Sequence, residues 1–161
     1  MRSLNVFRSL ILAISLTGLV SCGGAKLPNK VPGAQGRSAM KFSFQVNVVP
    51  DANENFPIPM DLVTIADKKV IGEVGKLTAK DWFDRRMQII RDFQGKVEVA
   101  SWEWVPGQHA GPISVAIGPK TRVAYVFANY RNGGGHRALV NVKTPVVINL
   151  GPEDFSIQPL K

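Results

Sequence analysis

From residue 41 onward the chain alternates apolar and polar positions. Phe42, Phe44, Val46 and Val48 interleave with Lys41, Ser43, Gln45 and Asn47, so a strand there turns one face to a core and the other to water. Pro50 to Pro57 interrupts with turn formers, and Met60 to Ala66 is apolar at nearly every position, which predicts a central strand. Helical periodicity is strong in one place, between Thr78 and Phe93. Thr78 and Asp81 make a capping-box-like start, Phe83, Met87 and Ile90 form the expected core stripe flanked by Trp82, Ile89 and Phe93, and Gly95 supplies a stop. Lys68 to Lys76 predicts a further, weaker helical turn. Strand patterns resume at 97–105 and recur at 113–117, 122–130, 138–142, 146–150 and 155–157, separated by glycine and proline turns. About eight strands, with a helical excursion between strands two and three, predict a mainly β, two-layer sandwich.

The first residues follow a different pattern. Arg2 and Arg8 precede an apolar run from Leu10 to Val20, the layout of a secretory signal and too short for a spanning helix. Leu19-Val20-Ser21-Cys22 resembles a bacterial lipobox, and Cys22 is the only cysteine of the chain. That likeness implies a diacylglycerol on the Cys22 sulfur and a mature N-terminus there; more than one acyl chain gives stable anchoring. Gly23 and Gly24, with no aspartate, imply sorting to the outer membrane of a Gram-negative envelope, with the domain facing the periplasm. The expected organisation is a signal at 1–21, the lipidated cysteine and a flexible Gly/Pro-rich tether at 22–40, and one β-sandwich domain at 41–161.

Composition narrows the chemistry. The chain has 161 residues, 20 Lys+Arg and 12 Asp+Glu, for a net charge of +8. Loss of the signal removes two arginines and no acid, leaving 18 basic residues against 12 acids, or +6. One cysteine forms no internal disulfide, and two histidines without a Cys/His cluster make no recognisable zinc site. His109 and His136 lie beside turns and read as solvated loop residues. There is no G-x-S-x-G elbow, H-E-x-x-H, phosphate loop or dinucleotide fingerprint. Glu98 and Glu103 fall on opposite faces of their strand, which is unsuited to a carboxylate pair. An enzyme, a metal, a cofactor other than the covalent lipid and a small-molecule substrate are therefore not expected. The basic residues are scattered rather than striped, which disfavours nucleic acid. Trp102 and Trp104 share a strand face, with core packing beneath the helix, against Trp82 or Phe83, as the expected role.

The order of features resembles the type VI secretion outer-membrane lipoprotein family, TssJ or SciN. The likeness is carried by the lipobox and tether, a first strand ending in Asn47-Val48-Val49-Pro50-Asp51-Ala52-Asn53, the proline-framed Pro57-Ile58-Pro59-Met60-Asp61-Leu62-Val63, the excursion with Trp82-Phe83, the Pro106-Gly107-Gln108 turn and a β-rich tail. It implies a transthyretin-like sandwich on the inner leaflet of the outer membrane, holding the periplasmic part of the IcmF-like inner-membrane protein, TssM. It also implies that the loop joining the first two strands makes the contact: Pro50, Asp51, Ala52, Asn53, Glu54, Asn55 and Phe56. Changing Asp51, Asn53 and Phe56 together is expected to weaken capture with little loss of stability, as for exposed loop residues. A pilotin-like accessory lipoprotein and a ligand-binding sandwich are the alternatives.

Overall fold

β1 (Met40–Val48) buries Phe42, Phe44, Val46 and Val48 and exposes or half-exposes the residues between them, as its alternation dictates. The computed structural model describes residues 39–160; Cys22 and the expected signal and most of the tether lie outside them. β1 is followed by β2 (Ile58–Ile65), two helices, α1 (Lys68–Val74) and α2 (Ala79–Asp92), and then β3 (Val97–Trp104) and β4 (His109–Ile117). β5 (Val123–Ala128), β6 (Arg137–Leu139), β7 (Val146–Leu150) and β8 (Phe155–Pro159) complete the fold. The strands form two four-stranded sheets, ordered β4-β1-β7-β8 and β3-β2-β5-β6. This is the mainly β, two-layer sandwich of eight strands with its helical excursion between β2 and β3.

The first sheet pairs β1 antiparallel to β4 and parallel to β7. A register irregularity between Phe44 and Val46 bends the β1–β4 pair beside Gly111. Gly111 has φ +130°, and a Cβ there would come within 2.9 Å of Gln45 Cα, so the close approach requires glycine. The second sheet is antiparallel throughout, with β2 between β3 and β5.

β2 is buried on both faces because it separates two cores. Ile58, Met60 and Leu62 face the first sheet and pack with Phe42, Phe44, Val126 and Ile148; Val63 and Ile65 face the helices and pack with Val70, Val74, Trp82 and Phe127. Trp102 and Trp104 pair with Met60 and Ile58 and belong to the core between the sheets, with Trp102 edge-on to Phe44 at 5.2 Å. They therefore pack in a core, but on the face of β3 opposite the helices. Phe127, stacked at 5.2 Å, is what meets Trp82.

α1 is capped by Asp67, whose carboxylate accepts from the Lys69 and Val70 N–H groups. α2 starts in the expected capping box, Thr78 with Asp81. Its buried stripe is Ala79, Trp82 and Ile89, while Met87 stands 63% exposed and Phe83 and Ile90 are half-buried, so the helix is rotated from the expected register. A buried polar group sets that rotation. Asp61, wholly buried on β2, accepts from Trp82 Nε1 at 2.8 Å and from Arg86 Nη1 at 2.9 Å, and both donors must lie on the inward face.

Candidate partner-binding surface

β1 ends, β2 begins, and the β3–β4, β5–β6 and β7–β8 connections all fall at one end of the sandwich, a consequence of the strand directions. The chain enters β1 at the other end. Nine residues of strand separate the two, about 30 Å at the usual rise.

The β1–β2 loop contains a short 3₁₀ turn, Ala52–Asn55, in which Asn53, Glu54 and Asn55 have φ of 49°, 56° and 64°. Three consecutive left-handed residues without glycine demand compensation. Asn53 supplies it. Its Nδ2 donates to the Phe56 and Pro57 carbonyls at 3.3 and 3.0 Å, and its Oδ1 accepts from the Arg131 N–H at 2.7 Å. Its own N–H donates to the Pro152 carbonyl at 2.9 Å. One side chain thus joins the β1–β2 and β5–β6 loops, and its backbone reaches the β7–β8 loop.

The loop splits by burial. Ala52 and Asn53 are buried, whereas Pro50, Asp51, Glu54, Asn55 and Phe56 are exposed. Ala52 and Asn53 are covered within the domain and frame the loop, whose exposed part is the other five residues: the sequence showed a polar Asn in a turn but not the three loops converging on it. Replacement of Asn53 is expected to lower stability, since removal leaves the Phe56 and Pro57 carbonyls and the Arg131 N–H without this partner. Phe56 keeps 48% exposure in spite of its size. The Arg131 guanidinium lies 4.0 Å from its ring centroid, and Arg131 Nε is 3.3 Å from Glu54 Oε2. This sandwich of Glu54, Arg131 and Phe56 holds an aromatic ring in the open by a cation–π contact. Arg131 escaped sequence reading because it is 75 residues from Phe56 along the chain.

Further bonds tie the same end together. Tyr130 donates its hydroxyl to the Gly151 carbonyl at 3.2 Å, and burial, with the Asp154 carboxylate second, pushes that hydroxyl above its usual pKa. Asn132 Nδ2 donates to the Glu153 carbonyl. His136 is not solvated as expected: its side chain is 8% exposed, with Nδ1 2.9 Å from Asp154 Oδ1 and its ring against Tyr130. His109, exposed at the start of β4, sits 3.1 Å from Asn47 Oδ1. No group of three or more His, Cys, Asp or Glu residues is placed to hold a metal ion among the described residues. No helix among them is long and apolar enough to cross a membrane. The arrangement is suited to presenting a rigid surface, with one exposed aromatic ring, to another macromolecule.

No family model and no curated protein matches the chain. Its structure is similar to the type VI secretion lipoprotein TssJ1 from Pseudomonas aeruginosa, with a TM-score of 0.60 over 76% of this chain and 98% of that one, at 17% identity. The fold is the TssJ fold. Serratia marcescens Lip, a membrane-bound component of the type VI secretion system, gives a TM-score of 0.56 at 14% identity, covering 75% of this chain and 97% of Lip. A chain in the structure of the TssM C-terminal domain from EAEC gives 0.59 at 9% identity, covering 74% and 98%. The TssJ resemblance carried by the sequence motifs thus holds at the level of the fold.

Proposed function

We propose that this chain is a lipid-anchored envelope component of a type VI secretion system, which holds the periplasmic part of an IcmF-like inner-membrane protein, TssM, at the outer membrane. The anchor is the acylated Cys22 and the contact is the exposed part of the β1–β2 loop: Pro50, Asp51, Glu54, Asn55 and Phe56. The observation that carries this reading is the exposed Phe56 ring, clamped by Arg131 on a loop pinned through Asn53, at the end opposite the chain's entry into the domain. An anchor at one end and a rigid aromatic contact at the other is the geometry a bridging subunit needs, because load passes along β1 rather than across a hinge. A fixed ring also loses little conformational freedom on binding. The solved proteins sharing the fold, TssJ1 and Lip, are a T6SS lipoprotein and a membrane-bound T6SS component, which supports the assignment to this machine. The role is attachment and needs no catalysis.

The test is affinity isolation of the full lipidated protein from detergent-solubilised envelopes, followed by mass spectrometry. A variant carrying Asp51→Ala, Glu54→Ala and Phe56→Ala, with Asn53 intact, runs in parallel. Recovery of the IcmF-like protein with the native loop and its loss with the variant is the expected result. Recovery of a secretin instead would make the chain a pilotin, and equal recovery by both forms would move the contact elsewhere.

A further inference from the structure

The formal charges of the domain are segregated along its long axis. At the loop end, Asp51, Glu54, Glu103 near the end of β3, Glu153 and Asp154 outnumber Arg131, Arg137 at the start of β6 and the imidazole of His136, while Lys80, toward the same end, is paired with Asp84. At the end where the chain enters β1 the balance reverses. Lys41 is the second residue of β1; Lys68 and Lys69 open α1 directly after β2; Lys96 precedes β3. Lys120 and Arg122 lie in the β4–β5 connection and Lys143 in the β6–β7 connection. All seven are exposed.

Backbone contacts hold these segments together: the Ala66 N–H donates to the Lys96 carbonyl at 3.0 Å, and the Arg122 N–H to the Ile65 carbonyl at 2.8 Å. The acids at this end are Asp67, Asp92 at the C-terminus of α2 beside Arg91, and, one residue inside β3, Glu98. Asp67 is already engaged, capping α1 and lying 3.6 Å from Lys96 Nζ. Hydrogen bonds from the Val70 and Lys69 N–H groups hold its carboxyl below the usual range, so its negative charge is present at neutral pH and offsets one of the seven cations.

We infer that this basic end is a docking surface for a bilayer carrying anionic headgroups, and that it seats the domain end-on with the β1–β2 loop directed away from the membrane. The inference rests on the lipid-anchor reading for the proximity of that bilayer. A cluster of exposed cations near an anionic surface is attracted within about one Debye length, about 10 Å at 0.1 M salt. The acidic loop end is repelled by the same surface, so both ends favour one orientation. The lysines alternate with Gly95, Gly118 and Pro119 rather than with stacking aromatics, which fits a planar array of headgroups better than bases. Attachment by acyl chains alone leaves orientation open; charge at the entry end sets it.

The experiment uses the full lipidated chain in vesicles of neutral phospholipid and in vesicles containing a third phosphatidylglycerol, footprinted with an amine-acylating reagent and read by mass spectrometry. Lys68, Lys120 and Lys143 are expected to react about five-fold more slowly on the anionic vesicles, the factor for roughly one kcal/mol per surface cation. Lys80, on the first turn of α2 toward the loop end, is expected to react equally on both. In 1 M salt, where the Debye length is about 3 Å, the difference should vanish while the chain stays with the vesicles. Equal reactivity of Lys68, Lys120 and Lys143 on both vesicles, with the chain still bound, overturns the docking surface. So does protection of Lys80 to the same degree, which means no end-on seating. A chain that washes off in high salt yet shows the low-salt protection breaks the lipid-anchor reading and leaves the docking surface standing.

Discussion

Asp61, beneath α2, and Asn53, inside the β1–β2 loop, are both buried polar side chains in a β-rich domain, and they do different work. Asp61 is a charge wholly removed from water, satisfied by one indole N–H and one guanidinium. It holds a layer: α2 is rotated so that Trp82 and Arg86 reach it. Asn53 is neutral and satisfied mainly by backbone groups of its own loop and of the β5–β6 loop. It holds a shape, since three left-handed residues in sequence have no other support. A buried charge costs several kcal/mol when its partner goes, whereas a neutral amide costs the desolvation of the few groups it leaves behind. The helical layer is therefore the stronger lock and the loop the more local one.

Breaking the stronger lock gives the largest effect. Asp61→Ala strands Arg86 and the Trp82 N–H and is expected to lower stability by about 3 kcal/mol in denaturant unfolding, the low end for such a pair because Arg86 keeps 35% exposure. Asp61→Leu combined with Arg86→Met should recover most of that loss, because apolar packing replaces a buried ion pair at little net cost. Failure of the double variant to recover would mean that the Trp82 hydrogen bond matters more than the ion pair.

Asn53→Ala is expected to cost about 2 kcal/mol, and to abolish partner capture by letting the loop relax. Phe56→Ala sharpens the contrast: stability should stay within about 0.5 kcal/mol while capture falls, because the ring is 48% exposed and packs on Arg131 at the surface. A thermal midpoint that drops as far for Phe56→Ala as for Asn53→Ala would erase the distinction between framework and contact. The smallest effect concerns α2. Hydrogen bonds from the Thr78 hydroxyl and N–H lower the Asp81 pKa below its ordinary 3.8, so their stabilisation is complete above that value and fades as pH falls through the lower folded one. Asp81→Asn should lower the neutral plateau slightly and flatten the acid limb, because the stabilisation by the ionised carboxylate is then absent at every pH, which thermal melts from pH 6 to pH 2 would read.

Local patterns carried much of this in the sequence. The β1 alternation, the doubly apolar β2, the Thr78–Asp81 cap and the strand count are contained in short windows, because they follow from side-chain periodicity and backbone capping. The helix stripe was misread by one step for a physical reason: Arg86 scores as polar, and only a carboxylate 25 residues away makes it an inward-facing residue. Trp102 and Trp104 were correctly placed in a core but on the wrong side, since periodicity fixes which residues share a face and not which layer that face meets.

For the candidate surface, the sequence by itself determined the position of the loop, its turn-forming character and the presence of Phe56. Tertiary structure decided the rest. Parallel pairing of β1 with β7, some 100 residues apart, brings the Pro152 carbonyl to Asn53, and β5 delivers Arg131 to Phe56. The segregation of charge between the two ends arises in the same way: lysines spread from 41 to 143 share an end because strand direction, not sequence distance, sets where each connection falls. Periodicity is a property of neighbours along the chain, and a surface is a property of neighbours in space.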